Sequence, residues 1–171
     1  MPFAFIHLAA AWLFGKAYQA ISKKPISHTP WVFLLFGSIL PDIDHLIDWT
    51  FQLQIHRSFT HSLFFVVFSG SIVYLLCRSL RNVESKSFAI AISFGVLTHL
   101  LLDMISYPGI QLLWPSQLHF SINSISYLTT QPSLFHLPPI ELSSLLKLAV
   151  VDMAVGTTWL FYFAFRKHIK F

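Results

Sequence analysis

The chain holds only seven Asp and Glu among 171 residues, yet four of its five aspartates fall in two short strings. One is Leu40-Pro41-Asp42-Ile43-Asp44-His45-Leu46-Ile47-Asp48, the other His99-Leu100-Leu101-Leu102-Asp103. Between them lies His56-Arg57-Ser58-Phe59-Thr60-His61-Ser62. The flanks are strongly apolar, and a carboxylate at a bilayer centre costs about 2.5–3.5 kcal/mol unless it is partnered. Acids that are avoided elsewhere and grouped here beside histidines point to a bound metal ion.

His99 and Asp103 stand four apart in a helical stretch, so at about 100° per residue they share one face. An imidazole nitrogen and a carboxylate oxygen so placed can meet one cation. That donor pair suits Zn²⁺ and, with more oxygen donors, Mn²⁺ or Fe²⁺. The plainer alternative is a His–Asp hydrogen bond within the helix. His56 and His61 are five apart, off any single helical face. A helix cap at Ser58 or Thr60 would leave His56 on the incoming loop and His61 in the first turn, both within reach of a common centre.

Asp42 and Asp44 would point to nearly opposite sides of a continuous helix. Either the backbone turns after Pro41 and both bind one centre, or one binds and the other orients a histidine. Arg57 would suit a phosphate or carboxylate group, or a salt bridge to a nearby aspartate. His7, on an apolar helix, is a weaker candidate. His45 and Asp48 read as solvated interface residues, while His28, His136 and His168 fall in loops or the tail. Asp152 has no histidine or basic partner near it in sequence.

The elements that must position these residues are oily. A 55% hydrophobic content, 11% charged residues and a mean hydropathy of +0.65 set the chain apart from the soluble class. Its 18 phenylalanines and 5 tryptophans suit lipid-facing and interfacial positions. A single cysteine, Cys77, excludes an internal disulfide framework and a thiolate zinc cluster. The net charge of +4 does not form a nucleic-acid patch, because the basic residues are dispersed beside apolar segments. The first apolar stretch lacks a basic leader and a small-residue cleavage site, and reads as a retained helix.

Five apolar segments are expected, at about Phe3–Ile21, Pro30–Leu40, Ser62–Cys77, Phe88–Tyr107 and Leu142–Phe165. A span needs about 20 residues. The first, fourth and fifth satisfy that, the third is marginal, and the second is too short unless it runs past Pro41. With the 22–29 and 78–87 loops and the C-terminal tail cytoplasmic, nine of the eleven Lys and Arg lie inside and only Arg57 and Lys147 lie outside. That topology, N-terminus out and C-terminus in, brings His7, Asp42, Asp44, His56, His61, His99 and Asp103 to one side of the membrane. Pro108–Ile140, without regular period, is expected as a loop or re-entrant cap over them.

The ordered strings Leu-Pro-Asp-Ile-Asp-His (40–45), His-Arg-Ser-Phe-Thr-His-Ser (56–62), Thr-His-Leu-Leu-Leu-Asp (98–103) and Gly-Ile-Gln-Leu-Leu-Trp-Pro (109–115) closely resemble the YdjM-like family of membrane-bound, metal-dependent hydrolases. The resemblance runs over about residues 1–121, and that family is similar to the helical zinc-dependent phospholipases C and single-strand nucleases. It implies Asp42, Asp44, His56, His61, His99 and Asp103 as the metal set, with His7 as an additional candidate and Arg57 matching the arginine of the second string. His119 stands where many members carry a basic residue.

Residues 1–171 are thus expected to form one all-α, polytopic bundle of about five helices in the inner membrane, with a metal site at one membrane face. The expected activity is hydrolysis by metal-activated water, on a phosphoester or phospholipid head group. Asp42 or Asp44 would serve as general base and zinc would be the first-choice ion. A non-catalytic protein with a structural metal site, or a metal-ion permease, is the alternative.

Overall fold

A computed structural model describes residues 4–44, 47, 51, 57–81, 84–105, 109–122, 124–127 and 158. Within them four helices follow in order: α1 (Ala4–Ser22), α2 (His28–Gly37), α3 (Leu63–Ser79) and α4 (Ser85–Asp103). Short 3-10 turns occupy Leu40–Ile43 and Phe59–His61. Four of the five expected apolar segments are therefore helical, with ends shifted by a few residues. The fifth, Leu142–Phe165, lies almost wholly outside the described residues.

Helix ends follow local chemistry. Pro30 is tolerated in the first turn of α2, where its missing N–H has no intrahelical partner to lose. The α3 cap is Ser62 rather than Ser58 or Thr60: its Oγ accepts from Phe65 N at 3.2 Å and donates to the Phe59 carbonyl at 2.6 Å. His61 consequently sits in the turn just before the helix.

Helix α4 is the centre of the packing, with α2 and α3 against it and α1 against both α2 and α4. Its buried positions Phe88, Ile92, Gly95, Val96, His99, Leu100 and Asp103 recur at spacings of three and four. The α2–α4 contact is backbone to backbone. A Cβ on Gly95 would stand 2.9 Å from Gly37 Cα and collide with the Leu34 carbonyl oxygen, so only glycine permits this crossing. One core cluster joins Phe65, Val96, Leu100 and Ile110, and a second joins Ala11, Trp31 and Leu34.

Among the described residues, α4 is the one helix both long and apolar enough to cross a membrane, and α3 is a shorter apolar helix. Nineteen residues at 1.5 Å each give α4 a length of about 28 Å, close to the hydrocarbon thickness. The outer faces carry many exposed apolar residues, among them Leu13, Val67, Leu75 and Ile90.

The segment expected as an irregular cap contains a two-stranded antiparallel sheet, so the described fold is mostly helical rather than all-α. Strand β1 (Leu118–Ser121) pairs with β2 (Ser124–Tyr127), Leu118 opposite Tyr127. The cap is hydrogen-bonded to the helix ends: Leu63 N donates to the Leu112 carbonyl and Ile122 N to the Met104 carbonyl, both at 2.9 Å.

Candidate metal centre

The first turns of α1, the turn after α2, the turn before α3 and the last turn of α4 meet at one end of the bundle. They bring together His7, Asp42, Asp44, Arg57, His61, His99 and Asp103. His56, His45 and Asp48 lie outside the described residues, as does Asp152.

The rotation of each imidazole is set by its outer nitrogen. His99 Nδ1 is 2.8 Å from the Ser38 carbonyl, which can only accept, so Nδ1 carries the proton and Nε2 faces the interior. This bond exists because Gly37 and Gly95 let the end of α2 touch α4 one turn below His99. His61 Nδ1 lies 3.0 Å from Thr60 Oγ1 and 3.3 Å from Asp44 Oδ2, while Thr60 Oγ1 itself donates to Asp44 Oδ2. His61 is therefore gripped on its Nδ1 edge by a buried carboxylate, and its Nε2 also turns inward.

Four donor atoms converge at that interior point. His61 Nε2 and His99 Nε2 are 3.2 Å apart, and Asp103 Oδ2 lies 3.3 Å from the first and 3.7 Å from the second. Asp42 Oδ1 lies 3.7 Å from His61 Nε2 and 3.5 Å from His99 Nε2. Tetrahedral bonds of 2.0–2.2 Å put neighbouring ligand atoms about 3.3–3.6 Å apart. The five separations, 3.2–3.7 Å, fall within about 0.1 Å of that spacing, and two inward nitrogens with two carboxylate oxygens is a donor set that a borderline-soft divalent cation satisfies. The residues fit a metal ion.

Asp42 and Asp44, two apart, lie at opposite edges of the His61 ring, because the 3-10 turn after Pro41 rotates the backbone between them. Asp44 is fully buried, whereas 26% of the Asp42 side chain is accessible, so Asp42 marks the open side of the cluster. Arg57 has φ of 63° and is 3% exposed. Its Nε is 3.9 Å from Asp103 Oδ2 and its Nη1 donates to the Gly109 carbonyl at 3.4 Å, tying the cap to the cluster. His7 stacks on His99 with ring centroids 3.8 Å apart, its Nε2 3.6 Å from Asp103 Oδ1.

The clustered carboxylates favour positive charge at this point. Burial pushes His61 down, but Asp103, Asp42 and Asp44 together hold it well above its ordinary value, so in the ion-free protein a proton takes that role. Burial likewise pushes the Asp42 carboxyl up, and the His61 hydrogen bond with the nearby histidine charges outweighs it and holds the group below the usual carboxylate value.

Sequence reasoning missed Ser38, which acts through its backbone carbonyl and so leaves no side-chain signature. It treated Thr60 only as a helix cap. His119 is fully buried on β1, its Nδ1 donating to the Gln117 carbonyl at 3.1 Å.

No curated protein and no solved structure matches the chain. A family model does match, and it extends through the C-terminal third in which the sequence strings are silent. Over residues 1–169 the chain fits that model, and it belongs to the YdjM inner membrane protein family.

Proposed function

We propose that the protein is a membrane-bound, metal-dependent hydrolase whose ion is held by His61, His99 and Asp103, with Asp42 at the open side. The observation that carries this reading is the convergence of His61 Nε2, His99 Nε2 and Asp103 Oδ2 near metal-ligand spacing, with Asp42 Oδ1 beside both imidazoles and both histidines oriented from behind. Zinc is the ion of choice for two nitrogens and two carboxylate oxygens; manganese and iron are the runners-up. A bound divalent ion supplies a Lewis acid and lowers the pKa of coordinated water from 15.7 to about 7.

The chain's own residues do the rest. Asp44 and the Ser38 carbonyl fix the two imidazoles. Asp42, reached by solvent, either completes the shell or accepts a proton from a water at the open side. Arg57 steadies Asp103 and offers a planar fork of donors suited to a phosphoester oxygen. The proposed setting is a polytopic bundle of about five helices in the inner membrane, N-terminus outside. A phosphoester, free or as a phospholipid head group, is the proposed substrate class.

Four protein donors also allow a closed shell, in which the ion would merely staple four chain segments together. Elemental analysis of detergent-purified protein beside the His99→Ala/Asp103→Ala variant tests the site. Near-stoichiometric metal lost in the variant is expected, followed by phosphodiester hydrolysis that the variant lacks. Metal-free wild type after reloading would overturn the reading; bound metal without exchangeable water would favour the staple.

A further inference from the structure

Beside the metal centre the bundle carries an exposed face of aromatic side chains. Phe59 and His61 belong to one 3-10 turn; the imidazole is fully buried, while the Phe59 ring meets Phe64, Phe68 and Trp114 at centroid distances of 5.8, 5.8 and 5.2 Å. Phe64 also reaches Phe68 and Trp114, at 6.0 and 6.1 Å, so the four rings are contiguous. Phe64, Phe68, Leu113 and Trp114 are 38–53% exposed. Helix α3 and the cap build this face together, tied by the bond from Leu63 N to the Leu112 carbonyl.

Water is a poor match for such a face. Soluble domains carry about 25% charged residues, yet no Asp, Glu, Lys or Arg occurs from Ser58 to Cys77 or between Asp103 and Glu141. A partner protein would want a polar rim around an aromatic centre, and these segments hold no charged residue to make one. The hydrocarbon core does not fit either. Between Ile110 and Leu118 the cap is turn and coil, and lipid-exposed irregular backbone does not occur at that depth. The head-group layer accepts what the cap offers: uncharged polar residues such as Gln111, Ser116 and Gln117, and a tryptophan, whose apolar body and N–H tip suit a boundary. The level agrees as well. Ile122 N donates to the Met104 carbonyl at 2.9 Å, which holds the cap at the end of a helix about 28 Å long, close to the hydrocarbon thickness.

We infer that Phe59, Phe64, Phe68, Leu113 and Trp114 form a docking surface for the head-group layer of a phospholipid bilayer, seating the cap at that boundary. Phe59 and His61 are two residues apart in a 3-10 turn, at about 2 Å of rise per residue. The metal-bearing turn therefore lies at the level of the lipid-facing rings rather than out in bulk water. The phosphoester at hand there is that of a phospholipid. This last step rests on the proposed metal centre and narrows its substrate class; the seating rests on the membrane setting alone, so each can fail without the other.

The test reconstitutes the full chain in phosphatidylcholine vesicles whose acyl chains carry bromine, a contact quencher of tryptophan, either near the head group or near the methyl end. The chain has five tryptophans, so the Trp114 signal is the difference between wild type and Trp114→Phe. That difference should be quenched strongly by the shallow bromines, weakly by the deep ones and little by aqueous iodide. Quenching by iodide alone would put the cap in water, strongest quenching by the deep bromines would put it in the hydrocarbon, and protection from all three would mean that protein covers the face. Each of these overturns the inference. Leu113→Cys in a Cys77→Ser background keeps Trp114 and carries a nitroxide instead; its collisions with dissolved oxygen and with a water-soluble nickel chelate should report the same level. Shallow quenching in a protein that binds no metal would keep the seating and sink the proposed centre. Hydrolysis of a soluble phosphodiester in preference to a vesicle phospholipid, by metal-loaded protein, would overturn the substrate step.

Discussion

Replacing Asp44 by asparagine keeps the side chain's shape and removes its charge, which isolates its orienting role from any role as a ligand. Asp44 is fully buried, with Oδ2 3.3 Å from His61 Nδ1 and 2.5 Å from the Thr60 hydroxyl that donates to it. Hydrogen bonds to charged groups contribute about 1.5–3 kcal/mol and neutral ones about 0.5–1.5 kcal/mol. Neutralising Asp44 should therefore cost about 1–1.5 kcal/mol of His61 orientation and basicity, or about tenfold in metal affinity. That is the lower end of the 10–100-fold range for outer partners of metal-bound histidines. Competition with a chromophoric zinc chelator in detergent would read it, beside Asp103→Asn, which removes a donor and should abolish tight binding. Wild-type affinity in Asp44→Asn would refute the orienting role. A loss as deep as in Asp103→Asn would make Asp44 a ligand.

Two further outcomes follow from the same geometry. Gly95→Ala places a methyl 2.9 Å from Gly37 Cα, where only backbone can yield, so α2 must lift from α4 and the Ser38–His99 bond must lengthen. Overpacking should cost about 1–3 kcal/mol and metal affinity should fall with it; an unchanged melting temperature in detergent would contradict the crossing described here. The ion must also displace the proton that Asp103, Asp42 and Asp44, against burial, keep on His61 well above its ordinary 6.5. Metal affinity should then rise by up to about tenfold per pH unit through neutrality and level off once the pH exceeds that raised value. A flat affinity from about pH 6 to 9 would count against His61 as a ligand.

What could be read from sequence was the part written in side-chain type and spacing. His99 and Asp103 share a helical face as expected, and the strings at 40–45 and 56–62 mark the segments that meet them. The role split between Asp42 and Asp44 was open because it depends on a 3-10 turn, which two residues of spacing cannot specify. Ser38 was invisible because a backbone carbonyl belongs to every residue. The capping residue was misplaced since Ser58, Thr60 and Ser62 are all competent caps, and Asp44 draws Thr60 away to a tertiary partner. The hairpin did leave a trace: Ser124-Ile125-Ser126-Tyr127 alternates polar and apolar as a strand does. That signal was short and lay in a stretch rich in proline and serine.

The cluster is assembled from opposite ends of the first hundred or so residues, and this has a consequence in time. At synthesis rates of about 5–20 residues per second, Asp103 emerges roughly 5–20 s after His7. For that interval His7, already on an apolar helix, and the Asp42–Asp44 pair must wait without the α4 groups that complete them. An ion held by these residues could therefore be loaded only after α4 is in place. Metal capture would follow the arrival of α4, locking the order of the helices already in place rather than guiding it.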